Sequence, residues 1–117
     1  TLIRRRQTDS AGQTVEAAKE YIRQHYAESD LSVEKLCAYL HLSSTYFSTL
    51  FKRETGTSFT AYVTTVRMEA AAEAIRSTEE KTYLIAQRCG YEDPNYFSYV
   101  FKRHFGVTPT KYRSEGK

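Results

Sequence analysis

One stretch of this chain occurs twice. Tyr46, Phe47, Ser48, Phe51, Lys52, Arg53, Gly56, Thr60 and Tyr62 return fifty residues later as Tyr96, Phe97, Ser98, Phe101, Lys102, Arg103, Gly106, Thr110 and Tyr112, nine identities over seventeen positions. In each copy the apolar residues fall at i, i+3 and i+4: Phe47, Leu50 and Phe51, then Phe97, Val100 and Phe101. That spacing puts them on one face of a helix. With one residue inserted in the second copy, Leu36-Cys37 also answers Ile85-Ala86, and His41-Leu42-Ser43 answers Gly90-Tyr91-Glu92. The repeat therefore predicts two similar helical units, each presenting the same kind of helix.

Capping residues mark where the helices begin and end. Residues 1–13, with Arg4, Arg5, Arg6 and Gly12, carry no sustained apolar period and read as a linker or the tail of an upstream helix, with solvated arginines. From Thr14, as N-cap, Val15, Ala18, Ile22 and Tyr26 make an amphipathic helix. Ser32 caps a second helix to Leu40, a turn of about three residues follows, and Ser43 or Ser44 caps a third that ends at Gly56. Helix, short turn and helix make a helix-turn-helix.

Ser58 caps a longer fourth helix to about Ser77, with Phe59, Tyr62, Val63, Val66, Ala70 and Ala74 as its stripe and a predicted length of ~27 Å. Thr82 caps a fifth, closed by Gly90. Asp93-Pro94 starts a sixth, closed by Gly106, and Thr108-Pro109 starts a short seventh to Tyr112. The expected fold is all-α: seven helices in two helix-turn-helix subdomains, 14–57 and 78–117, joined by a linker helix over 58–77.

Composition narrows the function. At 117 residues the chain is one domain or two very small ones sharing support. Its net charge is only +3, but residues 44–53 and 94–113 contain no Asp or Glu. A basic face on a nearly balanced protein favours a polyanionic partner. Cys37 and Cys89 are too few for a zinc cluster and read as buried free thiols in a reducing cytoplasm. No apolar run is long enough to span a bilayer, and no signal peptide is visible. The start at Thr1 rather than Met predicts a piece of something longer. His25, His41 and His104 are scattered, and Glu69 and Glu73 lie on a helix face, so neither set forms a metal site, a triad or an acid-base pair. The expectation is no enzyme, no cofactor and no metal.

If Phe47, Leu50 and Phe51 point inward, Thr45, Ser48, Thr49 and Lys52 point outward. The second copy exposes Asn95, Ser98, Tyr99 and Lys102. A helix with a short polar outer face and a basic end suits insertion into a DNA groove. The candidates for base contact are Thr45, Ser48, Thr49, Asn95, Ser98 and Tyr99. Those for phosphate contact are Ser44, Lys52, Arg53, Lys102, Arg103, Lys111 and Arg113. Asn95 is the best single reader, since a carboxamide pairs with adenine N6 and N7, although helix capping is its alternative role. Tyr46 and Tyr96, beside inward Phe47 and Phe97, read as packed rings with hydroxyls at the rim rather than as stacking platforms for bases.

Over residues 14–114 the chain resembles the DNA-binding domain of the AraC/XylS family of bacterial transcription regulators. The carriers are Leu31-Ser32-Val33-Glu34-Lys35-Leu36, Phe47-Ser48-Thr49-Leu50-Phe51-Lys52, and Arg67 with the alanines that follow. In the second half they are Ile85-Ala86, Gly90-Tyr91-Glu92-Asp93, Tyr96-Phe97-Ser98, Phe101-Lys102, Gly106-Val107-Thr108-Pro109 and Tyr112-Arg113. The resemblance implies two reading helices in successive major grooves of double-stranded DNA. It also implies an upstream receiver domain, as in response regulators of the YesN type, or a ligand-sensing one, with RNA polymerase as a candidate partner. One departure is visible, since family members often carry Arg at the positions of Thr49 and Tyr99. Thr offers only a methyl and a hydroxyl, which points to thymine methyls or DNA shape at the first half-site. The alternative reading is a helical protein-interaction module that kept the fold and lost DNA binding.

Overall fold

The computed structural model describes residues 2–115, with side chains from residue 11 onward. These residues form seven helices and no strand: α1 (Leu2–His25), α2 (Val33–Leu40), α3 (Ser44–Thr55), α4 (Phe59–Ser77), α5 (Thr82–Arg88), α6 (Pro94–Phe105) and α7 (Pro109–Glu115).

Most starts are set by the residues the sequence nominates. The hydroxyls of Ser32 and Ser43 accept from the backbone N–H of Lys35 and Tyr46, Ser58 from Ala61, and Thr108 from Lys111. Asp93 accepts from Asn95 N, with Pro94 in the first turn of α6. Gly56 and Gly106 end α3 and α6 in left-handed conformation, at φ 81 and 83.

Two starts differ. α1 begins at Leu2, so Thr14 lies inside the helix rather than at its cap, and of the two readings of the first residues the helical one fits 2–13. The segment has no proline, and a single interior glycine costs only about 1 kcal/mol, so the helix persists where no apolar period announces it. The side chains of Arg4, Arg5 and Arg6 lie outside those described. Thr82 is the first residue of α5 and Lys81 occupies the cap, with no side-chain bond. The Lys81 carbonyl instead accepts from the N–H of Leu84 and Ile85 at 3.0 and 3.1 Å, closing the first turn through the backbone.

The chain packs as two compact units. The first takes α1, α2, α3 and α4 as far as Val63; the second takes residues 26–30 and the chain from Thr64. In the first, α3 packs on both α1 and α2. Val15, Ala18, Ile22, Leu36, Cys37, Phe47, Leu50, Phe51 and Val63 are buried, and Phe59, also buried, stands edge-on to Phe47 and Phe51 at 6.1 and 6.4 Å. In the second, α6 packs on α5 and α7, and Met68, Ala71, Ala72 and Ile75 meet Ile85, Ala86, Cys89, Tyr91, Phe97 and Phe101. Burial of each large side chain contributes about 1.5–3 kcal/mol.

The buried stripe of α4 changes face along its length. Phe59 and Val63 are buried as expected, but Val66, Ala70 and Ala74 are only half-buried, while Met68, Ala71, Ala72 and Ile75 take the interior. A single stripe was the wrong reading because the two ends of this helix serve different cores.

Candidate nucleic-acid interface

The repeat survives as geometry. Leu42 N donates to Cys37 O at 3.0 Å, and Tyr91 N to Ala86 O at 2.9 Å, so the same turn bond closes both motifs. His41 and Gly90, matched in sequence, both take positive φ, 62 and 93. The extra residue of the second copy falls after this bond and before α6. Tyr62 stands edge-on to Phe51 at 5.4 Å and 86°, and Tyr112 edge-on to Phe101 at 5.4 Å and 80°.

With Phe47, Leu50 and Phe51 buried, α3 exposes Thr45, Ser48, Thr49, Lys52 and Arg53. With Phe97 and Phe101 buried, α6 exposes Asn95, Tyr99, Lys102 and Arg103, and leaves Ser98 half-buried. The candidate readers of each copy thus share one helix face. Asn95 is not a cap through its carboxamide: Asp93 Oδ1 accepts from its backbone N–H at 2.9 Å. Ser44 is half-buried, and the Cys37 thiol donates to the carbonyl of its neighbour Ser43 at 3.9 Å. Lys111 is exposed, with its ammonium 3.9 Å from Glu115.

Tyr46 and Tyr96 are each 56% exposed, well outside the rim packing the sequence suggested. The Tyr96 ring leans on Tyr91 at 6.1 Å and lies 6.3 Å from Tyr99. Each ring stands one position before the buried Phe, a step of about 100° round the helix from the inward face. Arg53 donates from Nε to Glu54 at 3.2 Å, whereas Arg103 donates from Nη1 to the Tyr99 hydroxyl at 3.3 Å.

Arg113, a candidate for phosphate contact, turns its guanidinium back onto the protein. Its Nε donates to Ile75 O and its Nη2 to Thr78 O, both at 3.0 Å, which satisfies carbonyls at the end of α4. Arg76 donates to the Tyr112 hydroxyl at 2.7 Å beside it, and that bond pushes the Arg76 guanidinium further toward its charged form. Arg67, which carries the resemblance but no role in the sequence reading, makes a similar contact. Its Nε donates to Tyr26 O at 2.9 Å and its Nη2 to Glu28 O at 2.8 Å, with the guanidinium over the Tyr91 ring at 5.4 Å.

His25 stacks on Tyr21 at 4.2 Å and is half-buried, while His41 is the C-cap of α2. Glu69 and Glu73 are exposed. Among the described residues no three His, Cys, Asp or Glu side chains converge, and no helix is long and apolar enough to cross a membrane.

Residues 36–115 match the family model described as a helix-turn-helix domain. The chain is 37% identical over 96 residues to the HTH-type transcriptional regulator YisR of Bacillus subtilis (strain 168), covering 82% of this chain and 33% of that protein. It spans about a third of the length of such curated relatives. Its fold matches the C-terminal domain of AraT, a response regulator from Geobacillus stearothermophilus, with TM-score 0.86 and 42% identity over 87% of this chain and 84% of that one. The C-terminal domain of the two-component response regulator yesN from Fusobacterium nucleatum matches with TM-score 0.82 and 39% identity over 84% and 95%. The DNA-binding domain of AdpA, a global transcriptional factor solved with a target DNA, matches with TM-score 0.81 and 25% identity over 86% and 90%. This chain, with its tandem helix-turn-helix motifs, belongs to the AraC/XylS family.

Proposed function

We propose that this chain is the sequence-specific, double-stranded DNA-binding output domain of a bacterial transcription regulator, with α3 and α6 as reading helices in successive major grooves. The observation that carries the reading is the duplicated probe: at matched positions Phe47 and Phe97, and Phe51 and Phe101, are buried, while Thr45 and Asn95, Thr49 and Tyr99, Lys52 and Lys102, and Arg53 and Arg103 are exposed. The DNA-bound AdpA domain, a relative of the same fold, supports it. In this reading subdomains over 14–57 and 78–117 are joined by the helix over 58–77. Thr45, Ser48, Thr49, Asn95, Ser98 and Tyr99 face bases. Lys52, Arg53, Lys102, Arg103 and Lys111 face phosphates, and Ser44 contributes from the start of α3.

AraT and yesN are response regulators, which favours a receiver domain upstream in the whole protein over a ligand-sensing one. Such a regulator works in the cytoplasm, and RNA polymerase is its proposed second partner. Selection of bound sites from a random duplex pool, followed by gel shifts at several salt concentrations, tests the reading. The expected result is one preferred site and an affinity falling steeply with salt. Absence of any preferred site at moderate salt overturns it and favours a protein-interaction module.

A further inference from the structure

Tyr99 and Arg103 lie one turn apart on α6, where side chains meet. Besides the bond to the Tyr99 hydroxyl, the Arg103 guanidinium lies 5.7 Å from the centre of the Tyr99 ring. Tyr99 is itself braced. Tyr96 stacks beside it at 6.3 Å and 29°, Tyr91 supports Tyr96 at 6.1 Å, and Tyr91 rests on fully buried Phe97 at 5.5 Å. A continuous line of rings runs from the core to an exposed arginine. Beside it, Tyr99, Arg103 and His104 help line a cleft of about 320 Å³ against α4.

The first copy has no such line. Thr49 stands where Tyr99 does and is too short to reach Arg53, which pairs instead with the Glu54 carboxylate at 3.2 Å. The second copy has His104 in place of Glu54. A carboxylate beside an arginine offsets its charge toward an approaching phosphate. A tyrosine restrains the guanidinium and leaves the charge intact.

We propose that Tyr99, beyond the base-facing role given above, is a positioning residue: it holds the Arg103 guanidinium ready for a DNA backbone phosphate, a device present in the second repeat and absent from the first. The role rests on the DNA-binding reading above, so the test has one arm without DNA. In the free protein, 15N relaxation of the Arg103 Nε–H reports its order. Tyr99→Ala lowers that order, Tyr99→Phe lowers it less, and Arg53 is unchanged. Unchanged Arg103 order in Tyr99→Ala overturns the proposal.

The second arm measures affinity for random-sequence duplex, where base reading is averaged out. Tyr99→Ala weakens binding by about two- to five-fold, as expected for losing one exposed cation–π contact. The double variant Tyr99→Ala/Arg103→Ala binds no more weakly than Arg103→Ala alone, while Tyr99→Ala and Arg53→Ala add independently. Full additivity with Arg103→Ala, or a Tyr99→Ala effect confined to one preferred sequence, overturns the positioning role and leaves Tyr99 its base-facing role alone. If the unaltered protein binds no duplex while the relaxation result holds, the function proposed above has failed and the contact serves another anion.

Discussion

Arg67 Nε donates to the backbone carbonyl of Tyr26 at 2.9 Å, joining α4 to a residue 41 positions earlier in the chain. A second bond to Glu28 O and the Tyr91 ring under the guanidinium make a three-point clasp on the segment that precedes α2. Hydrogen bonds to a charged donor contribute about 1.5–3 kcal/mol each when the carbonyl would otherwise lose its partner. Arg67→Ala is therefore expected to lower stability by about 2–4 kcal/mol. Arg67→Lys should recover only part, because an ammonium cannot span both carbonyls in a fork. Urea unfolding checks both; an alanine variant within about 0.5 kcal/mol of the parent would show the clasp to be idle.

Gly90 closes on the same clasp. A Cβ there would stand 2.7 Å from Tyr26 O and 2.9 Å from Arg67 Nε, at φ +93, whereas at Gly56 and Gly106 nothing lies within 4 Å. Gly56→Ala and Gly106→Ala should each cost about 1–2 kcal/mol from left-handed strain alone. Gly90→Ala adds the collision and should cost about 3 kcal/mol or more. Thermal melts of the three variants rank them, and an equal effect at all three would remove the packing argument.

Alkaline pH should loosen the fold. Burial pushes the Cys37 and Cys89 thiols above their ordinary 9.0, and the Tyr91 phenol above 10.0 against a partial pull from Arg67. The unfolded chain then releases these protons at lower pH than the folded one, so the folded state binds more protons across that window. Stability is full below about pH 9 and declines as pH rises through the folded values. Replacing both cysteines with alanine should move the onset of the decline upward. Denaturant midpoints from pH 7 to 11 measure it, and a flat profile in the parent chain contradicts it.

Lysine and asparagine substitutions separate grip from reading. Lys52→Ala and Lys102→Ala should each reduce the slope of log affinity against log salt by about 0.9, with little change in sequence preference. Asn95→Ala should relax preference at one base pair by about 1–3 kcal/mol and leave the slope unchanged. Anisotropy titrations on a selected site and its single-base variants distinguish the two patterns.

Arg113 should behave unlike the other basic residues. Because its guanidinium bonds the Ile75 and Thr78 carbonyls, Arg113→Ala should lower stability by about 2–3 kcal/mol. Its salt slope should match that of the parent. A reduced slope with unchanged stability would return it to the phosphate-contact set.

The local grammar of this chain was legible without coordinates. Serine, threonine and aspartate caps, closing glycines, and apolar triplets at i, i+3 and i+4 act within a turn or two. They placed α2, α3, α6 and the buried Phe47, Phe51, Phe97 and Phe101. The outward faces of α3 and α6 followed from the same periodicity, because a helix that buries three positions must expose those between them.

The rest depended on groups far apart in sequence. Residues 2–13 have no apolar stripe to read, yet nothing in them breaks a helix, so α1 runs further than its pattern shows. α4 buries one face near Phe59 and another near Met68 because the packing partners differ at its two ends, which a single period cannot express. Arg67 and Arg113 look alike with Lys102 and Arg103 as letters. Only the folded chain decides that the first two meet orphan backbone carbonyls while the others face solvent, because a cation's role is set by which acceptors tertiary packing brings within 3 Å of it.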